Sequence, residues 1–218
     1  MTTPRHHLLC RPQSRALLIA GIGMLCGLLC VWSEVSAQPP AVPAIVSREY
    51  KTKAEVLSVL GKFVAWPEAI APSRARPLTI GVLGKDPFFE AGVNQLDQVV
   101  AAEKAKGRLM TVHRFDSAKD YQRCHILFVS NTAAEKSVER TLADRVAAAK
   151  KLTDGEPVLL VGQSPGLALQ GCTANLLYDR TTNFIRLELN PDAAQRANLK
   201  PAPDLMRLQL VDIIRDKS

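Results

Sequence analysis

The sequence is poor in aromatic residues and has no concentrated charge of either sign. Phe, Trp and Tyr make up 5% of the 218 residues, so a core has to come mainly from aliphatic side chains on helices and strands. The formal charge is +7, but the Lys and Arg residues form no basic block. Nucleic-acid binding therefore has little support. With 47% hydrophobic and 22% charged residues, the composition is globular, which excludes collagen-like, coiled-coil and wholly disordered chains.

Residues 1–37 have the features of a secretory signal peptide. Three arginines precede an apolar run at residues 16–32, and residues 35–37 suit signal peptidase. Cleavage after Ala37 would release an exported mature protein into a compartment that permits oxidation. An uncleaved anchor is the alternative, because an apolar run of about 17 residues is at the lower limit for spanning a bilayer.

The mature chain divides into a short tether and one domain. Residues 38–47 contain three prolines and no periodic apolar pattern, which predicts a Pro-rich extended tether. Residues 48–218 are then a single domain of ordinary size.

Two cysteines, Cys124 and Cys172, remain after the signal peptide is removed. An even pair in an oxidising compartment predicts one disulfide. The alternative is two buried thiols that act as small apolar side chains, because Cys124 opens an apolar strand.

Strand and helix patterns alternate through most of the domain. Short apolar runs predict strands at 78–84, 109–115, 124–130 and 158–161. Apolar residues at three- and four-residue steps predict helices at 49–65, at 87–102 and around a stripe of Val138, Leu142, Val146 and Ala149, with Arg145 among the charged residues that face water. Strands separated by helices favour an α/β fold with a mostly parallel sheet flanked by helices.

The last third of the chain has a different pattern. Two strands at 172–178 and 184–189, joined by a short polar connection, predict a C-terminal antiparallel hairpin. Apolar residues after two prolines predict a closing helix that contains Leu205, Met206, Leu208, Leu210, Ile213 and Ile214. The hairpin leaves a strand edge, which either supports a homodimer or is covered by the tether.

The sequence offers no catalytic, cofactor or metal site. Gly162–Gly166 has the Gly-x-Ser-x-Gly pattern of a hydrolase, but Pro165 follows the serine and has no N–H to donate to an oxyanion. The histidines of the mature chain precede Ser164, whereas a hydrolase needs one after it. Cys124 and His125 are neighbours on a strand and point to opposite faces, so they do not form a metal pair.

Three residues are candidates for protein interaction. Trp66 follows an apolar helix, and tryptophan is enriched where proteins bind one another. Arg186 and Glu188 alternate with apolar residues on the second hairpin strand, so they occupy its polar face. The simpler interpretations are a core tryptophan and a solvated strand face.

Several ordered motifs resemble those of the YfiR-like family. They are Gly61–Pro67, Ile80–Gly84, Cys124–Ser130, Pro157–Val161 and Asn183–Asn190, and the resemblance covers roughly residues 50–211. One departure is Cys172, at a position that is commonly glycine in the family. This departure bears on a redox role and on the partner rather than on the fold.

The resemblance implies a non-enzymatic periplasmic regulator. It would bind the periplasmic part of an inner-membrane signalling protein, with a diguanylate cyclase as the expected partner, and lower cyclic-di-GMP. The alternative is a periplasmic module that binds a small ligand for another receptor. Its crevice would lie where the parallel strands end, near Gly84, Ser130 and Gly162.

Overall fold

The architecture is a seven-stranded sheet between helices, seen in a computed structural model that describes residues 44–216. The signal peptide and its cleavage site after Ala37 lie outside these residues and stay predictions. So does most of the tether. Within the described residues, no helix has the length and apolar character needed to cross a membrane.

Five α-helices and eleven strands follow one another along the described chain. The helices are α1 (Ala44–Leu60), α2 (Gln95–Ala105), α3 (Leu142–Thr153), α4 (Pro191–Arg196) and α5 (Pro203–Met206). The strands are β1 (Val64–Ala65), β2 (Leu78–Leu83), β3 (Phe89–Glu90), β4 (Val93–Asn94), β5 (Met110–Phe115), β6 (Ile126–Val129), β7 (Leu159–Gly162), β8 (Ala174–Asp179), β9 (Phe184–Leu189), β10 (Lys200–Pro201) and β11 (Val211–Ile213).

The central sheet confirms the predicted fold class. Its strand order is β11-β9-β8-β7-β6-β2-β5, and every neighbouring pair is parallel except the β8–β9 hairpin. The crossovers from β2 to β5 and from β6 to β7 contain α2 and α3, which place helices on the faces of the sheet. This arrangement explains why β2, β6 and β7 are almost continuously apolar, since both of their faces are covered.

Two apolar clusters fill the two faces of the sheet. On one face, Ile80, Phe128 and Leu176 pack under Leu57 of α1 and Leu96 of α2. On the other face, Leu83, Leu127 and Leu160 pack against Val146 and Ala149 of α3. The alternation of side chains along each strand sends neighbouring residues to different clusters.

The predicted closing helix is wrong, because α5 has only four residues and the chain then forms β11. The physical reason is the open edge of β9. Leu187 N–H donates to Leu210 O at 2.8 Å and Ile214 N–H donates to Leu189 O at 2.9 Å, so the segment satisfies backbone groups of β9 that a helix would leave unpaired. The hairpin edge is therefore covered by the C-terminal strand.

The boundaries of two helices also differ from the prediction: α2 begins at Gln95 rather than at 87, because β3 and β4 precede it, and α1 differs at both ends. Helix α1 begins at Ala44, so residues 44–47 are helical rather than part of the tether. No proline follows Pro43 in that stretch, and the backbone is free to continue the helix. The helix ends at Leu60 because Gly61 packs closely against Leu78 and the chain then enters β1, which pairs with β10.

The solvent-facing position predicted for Arg145 is wrong. Arg145 is fully buried, whereas Val138, which was placed in the apolar stripe, is 68% exposed. Helix α3 starts at Leu142, with Thr141 as its N-cap, so Val138 precedes the helix. The buried guanidinium donates to four backbone carbonyl groups, which takes the place of solvation by water.

Candidate interaction site

An open apolar groove lies between α1, β9 and the C-terminal segment. Its volume is about 300 Å³. Ten of its eleven lining residues are apolar: Val56, Val59, Leu60, Phe63, Ile185, Leu187, Leu205, Leu208, Leu210 and Val211. The charged one is Glu55, which is exposed. The apolar groove, as we call this set, offers an incoming group almost no polar contact.

The apolar groove has a buried floor and an exposed wall. Ile185 and Leu187 on β9 are 6% and 5% exposed, because alternate β9 residues point towards α1. Leu208 and Leu210, in the turn between α5 and β11, are 51% and 49% exposed. Single exposed apolar residues are ordinary, but a contiguous patch that continues into a groove is typical of a protein-binding surface.

The sequence did not reveal this groove, because its exposed wall was assigned to a helix. Leu208, Leu210 and Ile213 fit a helical pattern as well as a strand-and-turn pattern. The available signal was the spacing of Val211 and Ile213, two β-branched residues on either side of Asp212, which is typical of a strand.

Arg186 and Glu188 are held in contacts between strands. Arg186 forms an ion pair with Asp212 of β11 at 2.5 Å, and Glu188 accepts a hydrogen bond from the Asn175 amide at 2.8 Å. Both side chains lie on the face of β9 opposite to Ile185 and Leu187. They therefore lie outside the apolar groove, and their role in binding stays a prediction.

Trp66 is half-buried beside a buried histidine. Its indole N–H donates to Gly61 O at 3.1 Å, and its ring meets the His125 ring edge-on at 5.4 Å between centroids. His125 N–H at Nε2 donates to Ile70 O at 2.8 Å, while Nδ1 accepts from Thr79 N–H at 3.0 Å. These contacts fit the core interpretation of Trp66 better than an exposed anchor.

The two cysteines are free, buried thiols in the structure. They precede β6 and β8, which are separated by β7, so their backbones are two strand spacings apart, roughly 10 Å. A disulfide needs Cα atoms within about 7 Å. The Sγ atom of Cys124 also lies over Gly81 on β2, away from β8. Burial raises the pKa of each thiol to about 12.

The carboxyl ends of the parallel strands are filled by protein groups. Arg145 and Thr132 O lie against Gly84, which has φ of +100° and no room for a Cβ. Ser130 and Gly162 are buried. The crevice predicted for a small ligand is therefore occupied at these three positions.

Ser164 has no catalytic partner in this arrangement. Its hydroxyl donates to Asn131 Oδ1 at 2.9 Å, and Asn175 Nδ2 donates to Ser164 O at 2.7 Å. The Pro165-containing turn thus links β7 to the next segment. Within the described residues, no group of three or more His, Cys, Asp or Glu side chains is placed to hold a metal ion.

A buried lysine ties α1 to the end of β7. Lys53 is 1% exposed, and its ammonium group donates to Glu49 at 2.5 Å and to Gln163 Oε1 at 2.8 Å. Burial lowers the pKa of Lys53, while the hydrogen bond and the charge of Glu49 act in the opposite direction. This contact fixes α1, and with it one wall of the apolar groove, relative to the sheet.

Comparison with known proteins identifies a family relationship. The model of a family described as YfiR/HmsC-like matches residues 50–209. That family is regulatory rather than catalytic, and its members are periplasmic regulators in cyclic-di-GMP signalling. No curated protein matches the chain.

Two solved structures share low sequence identity with the chain. An ABC domain in complex with L-Trp from Streptococcus pneumoniae is 10% identical, with a TM-score of 0.43 over 76% of this chain. A conserved domain protein from Vibrio cholerae is 13% identical, with a TM-score of 0.43 over 77% of this chain. This chain spans 60% of the length of each of them. Neither bears on function.

Proposed function

Because the chain belongs to the YfiR/HmsC-like family, we propose that it binds and represses the periplasmic part of an inner-membrane signalling protein. The partner we propose is a diguanylate cyclase, so that binding lowers cyclic-di-GMP. The protein acts by binding alone and needs no catalytic residue or cofactor. An exported chain cleaved after Ala37 would meet such a partner at the membrane surface.

The observation that carries this proposal is the apolar groove. Its floor is buried and apolar, and its wall contains Leu208 and Leu210, which are both about half exposed. Since an ionic group would lose its hydration there without gaining a partner, the segment that enters must be apolar. We therefore propose an apolar segment of the partner's periplasmic domain as the occupant.

Repression follows if the groove binds one state of the partner better than the other. A regulator shifts an equilibrium only by its differential affinity for the two states. To move a partner from about 99% active to about 99% inactive, the inactive state must be bound about 10⁴-fold more tightly. The hydrogen bond from Lys53 to Gln163 ties α1, which forms one wall of the groove, to the end of β7, and such a tie favours discrimination between the two states.

The test places a charge on the exposed wall of the groove. Replacement of Leu208 by Asp should abolish repression, because the carboxylate would be desolvated on binding. Intracellular cyclic-di-GMP is measured in the host with the gene deleted, and again after complementation with the wild type or the variant, each with its signal peptide. We expect a rise on deletion, reversal by the wild type and no reversal by L208D.

Leu169→Asp is the matched control. Leu169 is 53% exposed and lies in the turn after Pro165, outside the apolar groove, so L169D should repress like the wild type. Thermal unfolding and the amount of exported protein are compared for all three. Repression by a folded L208D variant would refute the role of the groove, and unchanged cyclic-di-GMP on deletion would refute the cyclase as partner.

A homodimer is the other use of the same surface. Sedimentation of the purified domain distinguishes it, because a groove that binds a second copy would make L208D monomeric when the wild type is dimeric. We expect both proteins to have the same oligomeric state.

A further inference from the structure

A second recess lies where the C-terminal ends of α1 and α2 meet the start of the sheet. It has a volume of about 220 Å³. Its walls are the end of α1, the loop at 72–74, the start of β2 and the connection from α2 to β5. Unlike the apolar groove, this recess is lined by the cations Lys62, Arg74 and Arg108.

One buried carboxylate serves several of these cations. Glu103 is 6% exposed, and its oxygens contact Arg108, Lys106 at 3.2 Å and Lys62 at 3.5 Å. The hydrogen bond from Arg108 is the main reason why the pKa of Glu103 falls to about 2. Glu103 is therefore ionised at any physiological pH, but a single carboxylate cannot neutralise three cations.

Arg74 adds a fourth positive charge on the facing wall. Its side chain is exposed, and in the part of the chain that the structure describes no carboxylate lies within 4.0 Å of its guanidinium. Ser73 lies beside it, and its hydroxyl oxygen accepts from Arg76 N–H at 3.1 Å, which leaves the hydroxyl hydrogen able to donate.

The local charges sum to about +2. Lys62, Arg74, Lys106 and Arg108 less Glu103 give a formal +3. The C-terminal ends of two helices contribute about −0.5 each. This excess matches a dianion, and a phosphate monoester carries about −1.5 to −2 at pH 7.

The floor of the recess is apolar. Leu78 and Met110 are buried there, and Pro72 and Leu109 complete the floor. A bare anion would leave this floor uncovered, so a ligand with a small apolar body attached to its anionic group fits the recess better. Guanidinium groups such as those of Arg74 and Arg108 bind phosphate oxygens in pairs.

We propose that this recess binds a small phosphate monoester with an apolar body. The site lies on α1 between the sheet and α2, whereas the apolar groove lies between α1 and β9, so the proposal does not depend on the partner. Lys62, Arg74 and Arg108 hold the phosphate, and Leu78 and Met110 contact the body of the ligand.

The experiment is calorimetric titration of the purified mature domain at low salt. The probes are phenyl phosphate, inorganic phosphate, benzoate and benzyl alcohol, which separate the dianion from the ring. We expect phenyl phosphate to bind more tightly than inorganic phosphate or benzoate, and benzyl alcohol not to bind. Arg74→Gln should lower the affinity for phenyl phosphate at least about tenfold, since one charge-assisted hydrogen bond is lost.

Arg180→Gln is the matched control, because it removes one exposed positive charge at the tip of the β8–β9 hairpin. It should leave the affinity for phenyl phosphate unchanged. Both substitutions are at exposed positions, and thermal unfolding verifies that each variant is folded.

Three results would overturn the proposal. In the first, the wild type does not bind phenyl phosphate. In the second, R74Q binds it as tightly as the wild type does. In the third, R180Q lowers the affinity for phenyl phosphate as much as R74Q does. Phosphatidylglycerol vesicles are a further arm. Binding to these vesicles without binding to phenyl phosphate would assign the cations to a membrane surface instead. All of these measurements are independent of cyclic-di-GMP in cells.

Discussion

Replacement of the buried Arg145 by Met should destabilise the domain more than replacement of any exposed residue of α3 by an apolar one. Arg145 donates from Nε to Ser130 O at 3.0 Å, from Nη1 to Glu139 O at 2.9 Å and from Nη2 to Asn131 O at 2.6 Å. A fourth bond joins Nη1 to Arg140 O at 3.3 Å. The side chain thus holds the connection between β6 and α3 against the end of β6.

The size of the expected decrease in the free energy of unfolding follows from two opposing contributions. Hydrogen bonds to a charged group stabilise by about 1.5–3 kcal/mol each, whereas burying the guanidinium costs several kcal/mol. Methionine removes both contributions but leaves Ser130 O buried without its donor. Breaking such a buried network by removing one partner costs about 3–5 kcal/mol, so we expect a loss of about 3 kcal/mol. This is a large share of the 5–15 kcal/mol that stabilises a typical domain.

Urea unfolding followed by tryptophan fluorescence measures this loss. The midpoint should fall while the slope stays constant, because the variant changes stability rather than the exposed area. Arg145→Lys should keep little of the stability that Arg145 provides, since an ammonium group cannot span four carbonyl oxygens as a planar guanidinium does. Arg140→Met is the control on the same connection. Its side chain is exposed, so it should change stability by no more than about 0.5 kcal/mol.

An unchanged midpoint for R145M would refute this reasoning. It would mean that water reaches Ser130 O and replaces the guanidinium. Amide exchange locates the effect independently, because release of the connection should increase exchange at 131–141 before the sheet itself opens.

Two further predictions concern His125 and the cysteines. Burial is the main cause that lowers the pKa of His125, and the charges of Arg76 and Arg123 lower it further. The unfolded chain therefore binds more protons than the folded chain as the pH falls below about 6.5. Stability should therefore decrease from pH 7 to pH 5.5. The His125→Gln variant should lose this decrease of stability with falling pH, and the His113→Asn variant should keep it. An unchanged pH dependence of stability in H125Q would contradict the assignment to His125. Cys124 and Cys172 should resist iodoacetamide in the native protein and react after denaturation. A disulfide between them in non-reducing mass spectrometry would contradict the separation seen in the sheet.

The sequence predicted the sheet well because its strands are bounded by clear signals. Glycine, proline and polar residues surround the apolar runs of β2, β6 and β7, and buried parallel strands need little else to be recognised. The hairpin was predicted for the same reason, and β9 was predicted with its observed bounds, Phe184–Leu189. Pairings between strands distant in sequence, such as β11 with β9, have no such local signal.

Residue type misled the prediction at Arg145, and Lys53 is a second buried cation with the same spacing. Lys53 lies three residues after Tyr50 and four before Leu57, and Arg145 lies three after Leu142 and four before Ala149. Their spacing places both on the apolar faces of α1 and α3, but a charged residue is ordinarily assigned to water. The spacing was the better guide, because local acceptors replaced the solvent at each position.

The recess at the start of the sheet was not predicted either. Lys62, Arg74 and Arg108 belong to three separate connections, and no motif links them in the sequence. The packing of α1 beside α2 brings Lys62 and Arg108 together at Glu103, and Arg74 reaches the same recess from the loop at 72–74.

The two walls of the apolar groove come from opposite ends of the domain. One is α1, which opens the described chain, and the other is the segment that leads into β11, which closes it. Because α1 precedes residues 208–211 in the chain, the first wall is synthesised before the second. A chain that is still being synthesised, or one that is truncated before residue 208, therefore has no complete groove. If the groove binds the partner as proposed, a fragment that lacks either α1 or residues 208–211 will not bind it.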